Sequence, residues 1–192
     1  MPNRLPESSE PRPLTFRYTV TSGDRERVRA IVESTGFFNA EEVDIAVELV
    51  DERLARGAAS GYEFLFAECD GDTVGYACFG RVPLTQSSFD LYWIAVRAGQ
   101  QRSGLGRAIL EDVHRQVGKL GGQRVYADTS GRDQYAPTRA FYKGMGYAQA
   151  ALLPDFFAPG DAKVVFVKAV AAITLTASSE SHGSERSGSG AG

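Results

Sequence analysis

The chain has 192 residues, with 21 Lys and Arg against 24 Asp and Glu, a formal net charge of −3 and 43% hydrophobic residues. That balance argues against a nucleic-acid surface, which depends on clustered basic side chains neutralising phosphates. No apolar run approaches the ~20 residues that span a bilayer, and the N-terminus lacks the apolar stretch of a secretion signal, so no membrane partner and a cytoplasmic location are expected.

Residues 1–13 are Pro-rich and polar, and 171–192 become Ser/Gly-rich from Ser178, so both ends are expected to be disordered around a single domain over 14–170. The short stretch Ala171–Thr176 is left open as an extension of the last strand. Leu14 to Val20 alternates as a half-buried strand does, and Ser22 or Asp24 caps a helix with Val28, Ile31 and Val32 inward. Asn39 with Glu42 three residues on reads as a capping box, followed by a buried stripe of Val43, Val47, Val50 and Leu54 and a stop at Gly57. Tyr62 to Cys69 and Thr73 to Val82 form a hairpin around Asp70-Gly71, which keeps Cys69 and Cys78 apart as free thiols. Phe89 to Val96 is apolar enough to be a central strand buried on both faces, which makes Asp90 at its start conspicuous. Leu105, Ile109, Val113, Val117 and Leu120 then repeat at helical spacing up to Gly121-Gly122. Val125 to Thr129 is a strand, Pro137 opens a short helix carrying Arg139 to Lys143, and strands at Tyr147 to Leu153 and Lys163 to Val170 complete the chain. The unit from Phe89 to Thr129 predicts a right-handed crossover between parallel neighbours. The fold class is therefore mixed α/β, a mostly antiparallel sheet of about seven strands with helices on both faces.

Gln101-Arg102-Ser103-Gly104-Leu105-Gly106 lies where that central strand passes into the long helix. Glycines there let amide N–H groups converge on phosphate oxygens at the positive end of the helix dipole. No acid falls between Arg97 and Arg107, and Arg97, Arg102 and Arg107 suit a pyrophosphate, unless they are ordinary surface charges. A dinucleotide fingerprint is excluded because Ile109 stands where its third glycine belongs, and a nucleoside-triphosphate loop because Arg107-Ala108 follows Gly106. With only His114 and His182, and no Cys/His pair at ligand spacing, no metal is expected. Cys78 sits in an apolar strand without a histidine partner and reads as core, not as an acyl carrier.

The loop resembles the Gln/Arg-x-x-Gly-x-Gly/Ala signature of the GNAT N-acetyltransferases. Ala140-Phe141-Tyr142-Lys143-Gly144-Met145-Gly146-Tyr147 resembles the family's second signature, and the likeness extends from about Leu14 to Val170. It implies the GNAT acyl-CoA N-acyltransferase fold, acetyl-CoA as donor and direct transfer to an amine in a ternary complex. A CoA-binding sensor or interaction module without catalysis is the alternative. The resemblance implies that the strands ending at Val96 and Thr129 splay apart, with pantetheine and acetyl along Ile94, Ala95 and Val96. Gln101, Arg102, Ser103, Gly104, Leu105, Gly106 and Arg107 would hold the pyrophosphate. Tyr135 stands where family members commonly carry an asparagine that contacts the cofactor arm. Tyr142 is the candidate general acid for the leaving thiolate, or else a packing tyrosine. The base is open between Asp90, Tyr92, Asp128 and a water relay. At period two, Asp90 and Tyr92 share a face with Ile94 and Val96, while Asp90 can also simply end the turn after Ser87-Ser88. The link Pro154 to Asp161 is expected to fold over the acceptor pocket, with Asp155 or Asp161 meeting a cationic amine or forming turns. Acceptor specificity is expected to lie in loops such as Phe37 to Asn39 and Pro154 to Asp161, while acceptor identity, acyl length and a homodimer stay open.

Overall fold

The computed structural model describes residues 13–171. The two terminal segments expected to be disordered lie outside these, apart from Pro13 and Ala171, as does the proposed strand extension beyond Ala171. In chain order the elements are β1 (Thr15–Arg17), α1 (Asp24–Ser34), α2 (Ala40–Arg56), β2 (Tyr62–Cys69), β3 (Asp72–Arg81), β4 (Ser88–Val96), α3 (Leu105–Lys119), β5 (Arg124–Ser130), α4 (Ala136–Gly144), β6 (Ala148–Ala158) and β7 (Asp161–Ala169). They form one seven-stranded sheet in the order β1-β2-β3-β4-β5-β7-β6. Its pairs are antiparallel except β4 with β5, which the α3 crossover makes parallel.

Local chemistry accounts for most boundaries. Asn39 accepts the Glu42 N–H while the Glu42 carboxylate accepts the Asn39 N–H, each at 2.9 Å, so two orphan donors at the start of α2 are satisfied reciprocally. Asp70 and Gly71 both take positive φ, which suits the tight hairpin between β2 and β3. At α1 the expected cap is absent. Asp24 is the first helical residue, and its fully buried carboxylate accepts the Thr21 N–H at 2.7 Å and pairs with Arg17 at 2.8 Å, so it ties β1 to α1.

The sheet carries a core on each face. On one side α3 and α4 cover Leu65, Phe79, Leu91, Ala127 and Phe166. On the other α1 and α2 cover Phe64, Phe66, Tyr76 and Cys78. Gly75 permits the close seat of α3, because a Cβ there would lie 2.8 Å from the end of Ile109 and 3.0 Å from the Ala95 carbonyl oxygen.

Four further expectations of the fold need correction. β1 is only three residues long, its ladder with β2 ending at Arg17, whose side chain ion-pairs with Glu68 and Asp24. Leu120 lies outside the buried stripe at 45% exposure, since α3 has already ended at Lys119. β4 is central but not buried on both faces, for Tyr92 is exposed and Trp93, Ile94 and Val96 are half-buried. The link Pro154 to Asp161 is mostly strand: β6 runs to Ala158 and only Pro159-Gly160 connects it to β7, with a register shift between Leu153 and Ala158 absorbing the extra residues.

Candidate active site

β4 and β5 pair through four positions, from Ser88 with Arg124 to Leu91 with Ala127, and then part. Beyond that point β4 continues on its other edge with β3, and β5 with β7. The Arg97 N–H bonds the Val74 carbonyl of β3 at 2.9 Å. By the alternation of an antiparallel ladder, main-chain groups of Ala95 also turn to β3, and those of Ile94 and Val96 turn to the open side. A cleft of about 1060 Å³ fills this opening and passes through the sheet, reaching α3 and α4 on one face and the α1–α2 connection on the other.

At the α3 end the loop turns tightly into the helix N-terminus. Arg102 and Gly104 hold φ of 61° and 89°, a left-handed backbone that glycine adopts freely at 104. The first bond within α3 runs from the Ala108 N–H to the Gly104 carbonyl, and the Leu105 N–H has only the Ser103 hydroxyl at 3.4 Å, so the Gly106 and Arg107 amides are left for a ligand. A Cβ at Gly106 would meet the Phe141 ring at 3.7 Å and Val96 Cγ2 at 3.9 Å, so loop, β4 and α4 converge there. Gln101, Arg102, Gly104, Gly106 and Arg107 line the cleft. Ser103 instead donates to the Gln100 carbonyl at 2.6 Å, and the Leu105 side chain is buried in the core. Arg97 turns away to the Thr73 carbonyl at 2.7 Å.

Tyr142 lines the same cleft from α4 with 4% of its surface exposed. Its ring packs on Tyr147, Phe141 and Phe166 at 5.4 to 5.6 Å between centroids. Burial, and then the charge of Asp128, push its phenol pKa well up, so it stays protonated. Tyr135 lines the cleft just before α4, edge-on to Phe37 from the opposite wall at 4.7 Å. The corner between β5 and α4 is fixed by polar bonds: Ser130 donates to Asp161 at 2.5 Å, Arg132 pairs with Asp161 at 3.0 Å, and Arg139 donates to the Ser130 and Arg132 carbonyls at 2.8 Å each. Asp161 is thus a structural anchor and not a free partner for an amine. Asp155 accepts the Gly160 N–H at 2.7 Å and forms the turn.

The period-two placement of Asp90 fails for a definite reason. Trp93 pairs with Cys78 but Leu91 pairs with Phe79, so Tyr92 is an extra residue and β4 bulges there. Phe89 and Leu91 lie in the α3-side core before the bulge, and Ile94 and Val96 pack on that same side after it. Asp90 therefore lies on the opposite face from Ile94 and Val96, the face of Trp93 and Ala95. It does not line the cleft, whereas Tyr92 and Asp128 do. Burial, then the charge of Asp128, raise the Asp90 carboxyl, with Lys163 opposing them; Asp128 itself is ion-paired to Lys163. Burial and then Asp90 push the Tyr92 phenol up to about 12. Sequence reasoning placed acceptor specificity in the Phe37–Asn39 loop but passed over Trp93, whose ring meets that of Phe38 at 5.0 Å in the cleft wall; the two lie 55 positions apart, and no local pattern joins them.

Residues 60–149 match the family model described as acetyltransferase (GNAT) domain. A GNAT-family protein from Desulfovibrio desulfuricans shares 50% identity over 83% of this chain and 100% of its own, with a TM-score of 0.81. The ribosomal-protein-S18-alanine N-acetyltransferase of Escherichia coli superposes with a TM-score of 0.65 at 18% identity, over 85% of this chain and 98% of its own. A Salmonella typhimurium protein whose structure contains its cofactor acetyl-CoA gives 0.64 at 18% identity, over 86% and 99%. Those last two likenesses speak to the fold. No curated protein matches the chain.

Proposed function

Because the chain belongs to the GNAT family of acetyltransferases, we propose that it moves the acetyl group of acetyl-CoA to a primary amine by direct attack in a ternary complex. The observation that carries this reading is the parting of β4 and β5 beyond Leu91 and Ala127, beside unpaired amides at the start of α3. The residues present fit the donor: a cradle of N–H groups and arginines for a pyrophosphate, and an unpaired strand edge for an amide-bearing arm. Acetyl-CoA supplies an acyl group activated as a thioester.

The amides from Arg102 to Arg107, with the Arg102 and Arg107 side chains, bind phosphate oxygens. Open main-chain groups of Ile94 and Val96 hydrogen-bond the arm, and an N–H at this edge stabilises negative charge on the acyl oxygen. Tyr135 covers the arm with a ring in place of an amide. Tyr142, kept protonated by burial, donates to the departing sulfur. An ammonium must lose a proton before its nitrogen attacks, and the Asp90/Asp128 pair receives it, Asp128 from the cleft wall and Asp90 from behind it. The N–C bond forms as the C–S bond breaks. Two protons leave the nitrogen in all; one ends on sulfur and the other in solvent.

Thermal unfolding with acetyl-CoA tests the cofactor site. At one hundred times Kd the ligand stabilises by about 2.7 kcal/mol, an upward shift of roughly 5–10 °C for a domain of this size. Gly104→Asp should abolish the shift and still fold, because nothing lies within 4 Å of a Cβ there and Asp tolerates left-handed backbone better than most residues. No shift for the unaltered protein refutes the reading.

A further inference from the structure

The two faces of the cleft differ in chemistry. Toward α3 and α4 it offers amides and arginines. Toward α1 and α2 it is walled by rings: Phe38 against Trp93 at 5.0 Å, Phe37 against Phe38 at 5.5 Å and against Tyr135 at 4.7 Å. Tyr92 and Phe157 extend this wall, and Phe157 stands 52% exposed at the mouth. Of the three carboxylates lining the cleft, two have cationic partners. Asp161 is held by Ser130 and Arg132, Asp128 by Lys163, and Glu42 accepts the Asn39 N–H.

Resting on the acetyltransferase reading, we propose that the acceptor is a small amine bearing a single charge on an aromatic body, held against Phe37, Phe38 and Trp93, and not a polycation. Aromatic side chains receive a further ring in offset or edge-on geometry, and their faces attract one ammonium. A polycation would bring several charges to a face where Asp128 and Asp161 already have cationic partners and only Glu42 is left to meet one, and each charge beyond that would stand unpaired. The ring contact between Phe37 and Tyr135 joins the two walls across the cleft. An oligopeptide reaching past this contact would have to part it.

The experiment compares acceptors by thiol release at fixed acetyl-CoA: 2-phenylethylamine, n-butylamine, spermidine, kanamycin and a hexapeptide with a free N-terminus. The expected result is a kcat/KM for 2-phenylethylamine at least tenfold above every other. Trp93 is the only tryptophan of the chain, so its emission reads binding without turnover. In the presence of CoA, 2-phenylethylamine should change that emission saturably and spermidine should not. Phe37→Leu keeps the bulk and removes the ring. It should raise KM for 2-phenylethylamine roughly fivefold more than it raises KM for n-butylamine. A preference for spermidine, kanamycin or the peptide overturns the proposal. So does stabilisation by acetyl-CoA without turnover of, or emission change with, the aromatic amine, which leaves the cofactor site standing. Absence of that stabilisation removes the acetyltransferase reading itself.

Discussion

Replacing Tyr142 with phenylalanine deletes one oxygen from a site whose surroundings make the result easy to read. The ring contacts with Tyr147, Phe141 and Phe166 remain, since all three involve the ring and not the hydroxyl. Among the described residues no side chain or carbonyl hydrogen-bonds that hydroxyl, so its loss leaves no buried partner unsatisfied, and the change in stability should stay within about 1 kcal/mol. Catalysis should respond on another scale. Losing general-acid assistance costs about 10²-fold or more, at least ~2.7 kcal/mol in the barrier. Single-turnover thiol release at saturating amine isolates the chemical step, and thermal shift with acetyl-CoA reports cofactor affinity. The expected pattern is a kcat lowered at least ~10²-fold with the melting temperature and the acetyl-CoA shift nearly unchanged, the signature of an interaction made only in the transition state. Because burial holds the phenol pKa up, the wild-type rate should show no decline from Tyr142 ionisation as pH rises to ~10. A single-turnover rate within twofold of wild type would refute the acid role and leave Tyr142 a packing residue.

Asp90→Asn should reduce kcat/KM most near neutral pH and progressively less as the amine loses its own proton, and parallel pH profiles for the two proteins would exclude Asp90 as the proton acceptor. The same variant should melt at the same temperature or slightly higher at pH 7, since burial penalises the Asp90 charge and an acid raised in the folded state stabilises only where it is protonated. His114, whose Nε2 lies 2.8 Å from the Tyr147 hydroxyl, is pushed down to about 4 by burial and then by Lys168. Between about 6.5 and 4 the unfolded chain therefore binds more protons than the folded one, so stability falls as pH drops through that window. Discounted for partial exposure, the loss is roughly 1–2 kcal/mol. His114→Gln should flatten the melting profile there, and a profile as steep as wild type would show that other groups govern acid sensitivity.

Features written in a few adjacent residues were legible beforehand. The Asn39/Glu42 box, the Asp70-Gly71 turn and the Gly104 turn depend on local backbone chemistry, and each stands where the chain predicts it. What depended on counting along a strand was not. One extra residue at Tyr92 reverses the faces on either side of it, and hydropathy does not mark a bulge in a strand of apolar residues, so Asp90 was assigned to the wrong side. The length of β6 was hidden for a related reason: Pro154 to Asp161 reads as a loop, yet the strand absorbs Pro154 to Ala158 in a register shift on the sheet's edge, where proline is tolerated, and Asp155 serves the turn at Gly160 from within that strand. The aromatic wall and the Ser130–Asp161–Arg132 corner are tertiary. Their members lie far apart along the chain, and they become neighbours only where the α1–α2 connection packs on β4 and where β5 pairs with β7.

That parting also divides the molecule mechanically. β1 to β4 form one antiparallel half-sheet and β5, β7 and β6 another, stitched together by the short stem from Ser88/Arg124 to Leu91/Ala127 and by the α3 crossover. A ligand lying in the wedge with one side bonded to Ile94 and Val96 and the other packed on α4 takes the place of the missing rungs. It acts as a removable strut between the halves, so occupancy of the site and stiffness of the whole sheet are one variable. Slowed amide exchange on donor binding should then extend to strand positions on both halves, including residues that never touch the donor.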